Sequence, residues 1–168
     1  MIIDLKAQLS TADDGKISAM AWPFGKADRV GDIILPGAFK SASAPIPMLA
    51  FHDFNSPIGV WTEITEKADG LHMQGEVLIN DVSRAREMFA LVQRKAVSAV
   101  SIGFKTIKAK PLKGGGREIS QLELLECSLV SIGMNPGARV TSAKSAIEAI
   151  AIAEAIHRVT LALTRTSR

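Results

Sequence analysis

The sequence predicts an α+β protein that is mainly β and ends in an amphipathic helix. Three observations predict this class: alternation of apolar and polar residues in several segments, an Asp-Gly turn at Asp69-Gly70, and helical spacing of apolar residues in two other segments. The chain has 168 residues, of which 47% are hydrophobic. A chain of this length forms one main domain and buries roughly 70% of its unfolded surface, so it needs no disulfide or metal to fold.

The first half of the chain is predicted to consist of strands separated by turns. An apolar run there is placed at a sheet edge, because Pro45 and Pro47 cannot donate hydrogen bonds to a neighbouring strand. Two later segments form a hairpin around Asp69-Gly70, since Asp-Gly strongly favours a tight turn. In chain order the predicted elements are strands at 2–9 and 16–22, turns at 23–32, a short helix at 36–43, a strand at 46–51, and hairpin strands at 60–65 and 71–79.

The second half begins with a helix and then returns to strands. Asn80 or Asp81 can cap this helix, which runs to Arg94. Its apolar residues recur at helical spacing: Ala85, Met88, Phe89 and Val92. Strands follow at 96–107 and 118–132, on either side of a glycine-rich loop. These elements complete a predicted domain of residues 1–141.

Residues 142–168 are predicted to form a helical tail. Its apolar stripe follows helical spacing and consists of Ile152, Ile156, Val159 and Leu163. This helix can pack on its own domain, pair with a copy of itself in a homo-oligomer, or bind another protein. No stretch reaches the roughly 18 apolar residues that a membrane helix needs, so no membrane partner is expected. The N-terminal sequence shows no signal-peptide pattern.

The positive charge of the chain is concentrated in one segment. Residues 94–117 carry seven basic and no acidic side chains, whereas the whole chain has a net charge of only +3. Such a block is either a solvated strand and loop or a surface for an anionic partner. Phe104 is the single aromatic residue within it, so the block lacks the stacking residues typical of nucleic-acid binding.

Three residues in unusual settings are candidates for chemistry. His52 ends an apolar run before a polar turn, Ser101 lies two residues before a glycine, and Glu126 sits in a segment expected to be buried. Each also has a plainer interpretation: an exposed histidine, a tolerated strand serine, and a carboxylate paired with an arginine. His52 and Asp53 would diverge on a strand and no His-Glu-x-x-His spacing occurs, so neither a metal nor a cofactor is expected.

Four segments in order resemble the prohead (procapsid maturation) proteases of tailed phages. The resemblance spans roughly residues 15–140 and is carried by Gly31-Asp32-Ile33-Ile34-Leu35-Pro36-Gly37-Ala38-Phe39, His52 with Pro57-Ile58-Gly59, Ser101-Ile102-Gly103-Phe104, and Leu125-Glu126-Cys127-Ser128-Leu129-Val130 with Asn135-Pro136-Gly137-Ala138. That family is similar in fold to the herpesvirus maturation protease. The resemblance therefore implies a mainly antiparallel β-barrel flanked by helices.

The resemblance also implies a function and a set of roles. It implies a serine endopeptidase in which Ser101 is the nucleophile, His52 the general base and Glu126 the residue that orients the histidine. His72 and Glu123 are the alternatives for the third role. The expected substrates and partners are the major capsid protein, its scaffold segment and the chain itself, inside a procapsid in the host bacterial cytoplasm.

Two other functions stay open at this point. One is a non-catalytic capsid-assembly module that binds scaffold through the C-terminal helix. The other is an esterase or amidase, although the sequence lacks a Gly-x-Ser-x-Gly nucleophile turn. If the resemblance holds, the basic block becomes the wall and rim of a substrate groove, in which Lys108, Lys110 and Lys113 favour acidic scaffold segments.

Overall fold

The computed structural model describes residues 15–143, and this part of the chain is mostly β-structure. The α+β class is therefore wrong, because the described part contains a single short helix beside its strands. The elements are β1 (Lys16–Pro23), β2 (Ile33–Ile34), β3 (Ile46–Ala50), β4 (Pro57–Lys67), β5 (Gly70–Val77), α1 (Ser83–Gln93), β6 (Ala99–Pro111), β7 (Arg117–Val130) and β8 (Arg139–Ala143). No helix among these residues is long and apolar enough to cross a membrane.

Seven of the strands close into a barrel. Around the barrel the order is β7-β3-β4-β5-β1-β8-β6, and β6 then pairs with β7. Neighbours are antiparallel except β3, which runs parallel to β7. The two-residue β2 also joins β7 in parallel, outside the closed circuit. Because β3 and β7 run the same way, the loops that follow them leave the same end of the barrel.

The core contains buried residues at alternate strand positions and the buried indole of Trp61. Ile17, Ala19 and Ala21 of β1 are buried on one face, as the alternation predicted. Trp22 is buried as well, because a register shift in the pairing of β1 with β5 interrupts the alternation before it. The buried Trp61 of β4 donates its indole N–H to the carbonyl oxygen of Cys127 in β7 at 2.8 Å. This bond joins two strands that do not pair with each other.

The helix α1 matches the predicted position but not the predicted cap. Its buried residues are those of the predicted apolar stripe: Ala85, Met88, Phe89 and Val92. The residue at the N-cap is Val82, and it makes no side-chain cap hydrogen bond. Asn80 and Asp81 lie in the turn before it. Packing of the apolar stripe, rather than capping, therefore accounts for this helix.

Two strand assignments near the site differ from prediction. The strand β3 is not at an edge, because it pairs with β4 on one side and with β7 on the other. Its pairing with β7 begins at Met48, so Pro45 and Pro47 lie outside the shared ladder. The strand β8, which pairs with β1, is not predicted from the sequence, because its five residues are too few to show an alternation.

The helical predictions outside α1 differ from the structure in the residues that it describes. Residues 36–43 form successive turns with bonds between residues three apart, such as Ala38 N–H to the Leu35 oxygen, and Gly37 has a positive φ that interrupts a helix. Ser142 and Ala143 belong to β8, so the predicted tail helix does not begin at residue 142. The rest of that predicted helix and the predicted strand at 2–9 lie outside the described residues. The domain boundary at 141 stays a prediction.

An ion pair between a buried carboxylate and a half-exposed arginine joins β7 to the loop before β2. Asp32 is only 4% exposed, and both of its carboxylate oxygens accept hydrogen bonds from the Arg117 guanidinium at the start of β7. This carboxylate raises the pKa of Arg117 through hydrogen bonding and charge attraction. One cation of the basic block is therefore used for structure.

We predict that Arg117→Met lowers the free energy of unfolding by about 1–3 kcal/mol, because it leaves the buried Asp32 carboxylate without its charged donor. Lys113→Met removes an exposed cation from the same hairpin and is the matched control. Urea denaturation of the two variants measures the difference. Equal midpoints for both variants would contradict a structural role for the pair.

Candidate active site

The pairing of β6 with β7 places four residues side by side on one face. Ser101 lies opposite Ser128, and Gly103 lies opposite Glu126. Residues directly opposite in an antiparallel pair project to the same face, and so do residues two apart along a strand. The face that they share is opposite to the one on which Cys127 joins the hydrophobic core.

A β-bulge at Leu125 sets this arrangement. Between Gly103 and Phe104 the partner in β7 changes from Glu126 to Leu124, so Leu125 is the extra residue. Simple alternation along β7 would place Glu126 on one face with Leu122, Leu124 and Ser128. The bulge reverses the alternation, so those two leucines enter the core while Glu126 projects to the opposite face.

The end of β3 brings His52 over the same face. The parallel pairing of β3 with β7 ends with Ala50 opposite Leu129, after which the chain turns. Phe51 and His52 both adopt left-handed backbone conformations, with φ values of 55° and 60°. The His52 backbone N–H donates to Ser128 Oγ at 3.1 Å. Two consecutive left-handed residues other than glycine are uncommon, and they direct the chain back across β7.

His52 and Glu126 form the central contact of the site. His52 Nδ1 lies 2.7 Å from Glu126 Oε1, and Glu126 Oε2 accepts a 2.6 Å hydrogen bond from Ser128 Oγ. The Glu126 residue is 2% exposed, whereas the His52 side chain is 42% exposed. With Nδ1–H donated to the carboxylate, Nε2 is the ring nitrogen left to exchange protons. The plainer interpretation of Glu126, a partner for an arginine, is wrong.

Ser101 lies beside this pair and lines a small cavity. The residue is 6% exposed, and its hydroxyl makes no hydrogen bond to the His52 ring among the contacts of residues 15–143. The cavity has a volume of about 20 Å³, and the buried Trp22 and Asn135 also line it. Catalytic hydrogen bonds of a free enzyme often tighten only when substrate binds, so this geometry is compatible with a serine nucleophile.

Gly103 is required by the carboxylate. A Cβ atom at this position would lie 2.2 Å from Glu126 Oε1, which is an impossible contact. A glycine within a strand often marks the close approach of another backbone. The structure shows instead that it admits the side chain of Glu126, so the glycine belongs to the site.

The alternative third residues lie elsewhere. His72 is on β5, where its Nε2 is 2.8 Å from Asp69 Oδ1 of the preceding turn. This contact lowers the pKa of Asp69, chiefly through the hydrogen bond. Glu123 is exposed on β7 beyond the bulge.

Burial raises the pKa of the Cys127 thiol well above its usual value, and the Glu126 charge adds to this, so Cys127 is not an available nucleophile.

The three lysines of the basic block that were expected to favour acidic segments lie away from this site. Lys108 is seven residues from Ser101 along β6, a separation of roughly 23 Å at strand spacing. Lys110 and Lys113 lie still further along the same hairpin. The predicted role of these lysines as the wall of a substrate groove is therefore not supported by their position.

Sequence comparison assigns the family. A model described as Caudovirus prohead serine protease matches residues 3–152. The chain belongs to this family. The "Prohead protease" of Enterobacteria phage HK97 is 31% identical over 173 residues, covering 96% of this chain and 76% of that protein. The "Prohead protease" of Escherichia phage T5 is 30% identical over 125 residues, covering 70% and 58% respectively. The function is thus that of a phage procapsid maturation protease.

Solved structures of Kaposi's sarcoma herpesvirus protease share the fold. One, in complex with a hexapeptide phosphonate inhibitor, has a TM-score of 0.53 at 12% identity and covers 74% of this chain and 63% of that one. Another, in complex with an allosteric inhibitor, has a TM-score of 0.51 at 10% identity and covers 82% of both. The expected similarity of this phage family to a herpesvirus protease is confirmed at the level of the fold.

We predict that Gly103→Ala leaves a folded barrel but lowers kcat/KM at least about 100-fold, because the new methyl group displaces Glu126 from His52. Lys105→Ala, an exposed change on the same strand, is the control. Peptide cleavage and thermal melting are measured on both variants. Normal cleavage by Gly103→Ala would show that the carboxylate can leave His52 without consequence.

Proposed function

We propose that the chain is a serine endopeptidase in which Ser101 is the nucleophile, His52 the general base and Glu126 the residue that orients it. The observation that carries the proposal is the 2.7 Å contact between His52 Nδ1 and the buried Glu126 carboxylate, on the face that Ser101 shares. An exposed histidine held by a buried carboxylate beside a serine is the arrangement that activates a hydroxyl for acyl transfer.

The proposed reaction has two halves. In the first, His52 Nε2 takes the proton from Ser101 Oγ as this oxygen bonds to the scissile carbonyl carbon. The protonated His52 then gives the proton to the leaving amine, the peptide C–N bond breaks, and an acyl-enzyme remains. In the second half, His52 takes a proton from water, the hydroxide displaces the acyl group, and Ser101 recovers its proton. Throughout, the Glu126 carboxylate stabilises the imidazolium.

The proposed substrates are the major capsid protein, its scaffold segment and the chain itself, cleaved inside the assembling procapsid in the host bacterial cytoplasm. The relatives named "Prohead protease" in phages HK97 and T5 support this choice. The His52–Glu126 contact favours catalysis over a purely assembly role, because a module that only binds scaffold has no need of a histidine held by a buried carboxylate.

The first test is Ser101→Ala. We expect this variant to fold normally, to fail to process capsid precursor, and to lose labelling by a peptidyl phosphonate, because it removes the hydroxyl proposed to attack the substrate. Ser98→Ala changes an exposed serine three residues away and is the matched control. Processing by Ser101→Ala at the wild-type rate would rule out this nucleophile.

The second test is Glu126→Gln. The amide keeps the size of the side chain but removes the charge that stabilises the imidazolium, so kcat is expected to fall about 10²- to 10⁴-fold. Circular dichroism and melting temperature report whether the fold is retained. Unchanged turnover by a folded Glu126→Gln protein would remove this residue from the proposed triad.

A further inference from the structure

Ser128 is a buried serine that contacts both members of the His52–Glu126 pair. It is 0% exposed and lies directly opposite Ser101 in the β6–β7 ladder. Its hydroxyl donates to Glu126 Oε2 at 2.6 Å and accepts the His52 backbone N–H at 3.1 Å. Both functions of one hydroxyl, donor and acceptor, are therefore used within the candidate site.

The donated bond serves the carboxylate. Glu126 is almost fully buried, and its Oε1 is occupied by the His52 ring. A buried carboxylate remains charged only if hydrogen-bond donors replace the water that it has lost. Ser128 supplies that second donor at Oε2. It also fixes the rotation of the carboxylate, so that Oε1 stays directed at His52 Nδ1.

The accepted bond serves the histidine backbone. His52 has a φ of 60°, a conformation that non-glycine residues adopt only when the surroundings hold them there. The neighbouring Phe51 is held by its own backbone bond to the Leu129 oxygen. Ser128 Oγ holds the next N–H, which is that of His52 itself. The same hydroxyl thus sets the position of the ring and of the carboxylate that binds it.

We propose that Ser128 is a positioning residue of the active site, which fixes Glu126 and His52 relative to each other. The proposal rests on the roles given above to His52, Ser101 and Glu126. Ser128 does not compete with Ser101 as nucleophile, because its proton is donated to Glu126 and it has no exposed surface. Its side chain acts on the substrate only through its neighbours.

The kinetic test compares Ser128→Ala with Ser128→Thr in the full chain. Loss of a hydrogen bond to a charged group is expected to lower kcat roughly 10- to 100-fold with little change in KM, because Ser128 touches no substrate. Threonine retains the hydroxyl and is expected to restore most of the rate. Ser120→Ala, which changes an exposed serine on the same strand, is the control. Wild-type kcat for a folded Ser128→Ala protein would overturn the proposal.

A spectroscopic test separates this proposal from the proteolytic function itself. The His52 Nδ1 proton, held by Glu126, should give a low-field NMR signal that shifts or broadens in Ser128→Ala and stays in place in Ser120→Ala. An unshifted, sharp signal in Ser128→Ala would overturn the positioning role even if the rate falls. Conversely, a shifted signal in a protein whose wild type cleaves nothing would retain the positioning contact and refute the proposed function. The signal also decides the matter should Ser128→Thr fail to fold.

Discussion

The burial of the Glu126 carboxylate is the constraint on which the rest of the site depends. A charge that is 2% exposed must find its hydrogen bonds within the protein, because water cannot supply them. His52 and Ser128 supply one bond to each oxygen. The bulge at Leu125 turns the side chain to the correct face, and Gly103 leaves it the space to lie there. Each of these features costs local stability, and a strand without the buried carboxylate would not have that cost.

A second buried carboxylate, that of Asp32, is stabilised in a different way. Asp32 is paired with Arg117, so its charge is matched by a permanent cation, a guanidinium that does not lose its proton near neutral pH. Glu126 is matched by a histidine, whose charge can appear and disappear during a reaction. This contrast distinguishes a carboxylate that joins two segments from the one that we propose supports chemistry, although both are buried.

The sequence was informative about residue types and poor at predicting their geometry. The unusual settings of His52, Ser101 and Glu126 marked them as candidates, and the Asp69-Gly70 hairpin and α1 follow from local patterns. The bulge at Leu125 could not be predicted, since it depends on pairing with β6 rather than on the residues of β7. For the same reason the sequence could not predict β8 or the parallel pairing of β3 with β7. It therefore could not predict that His52 lies close to Glu126. Ser128 belongs to a motif that carries the family resemblance, but only its spacing, two residues after Glu126, indicated that the two side chains share a face.

The position of the site on the barrel separates chemistry from folding. Cys127 and Leu129 direct their side chains into the core, whereas Glu126 and Ser128, which alternate with them, project to the other face. Apolar packing therefore holds β7 in place whether or not the polar residues are present. The loops after β3 and β7 leave the same end of the barrel, so the fold delivers His52 to this face without disturbing the core. Substitutions among the polar residues can consequently change the reaction while the barrel that carries it persists.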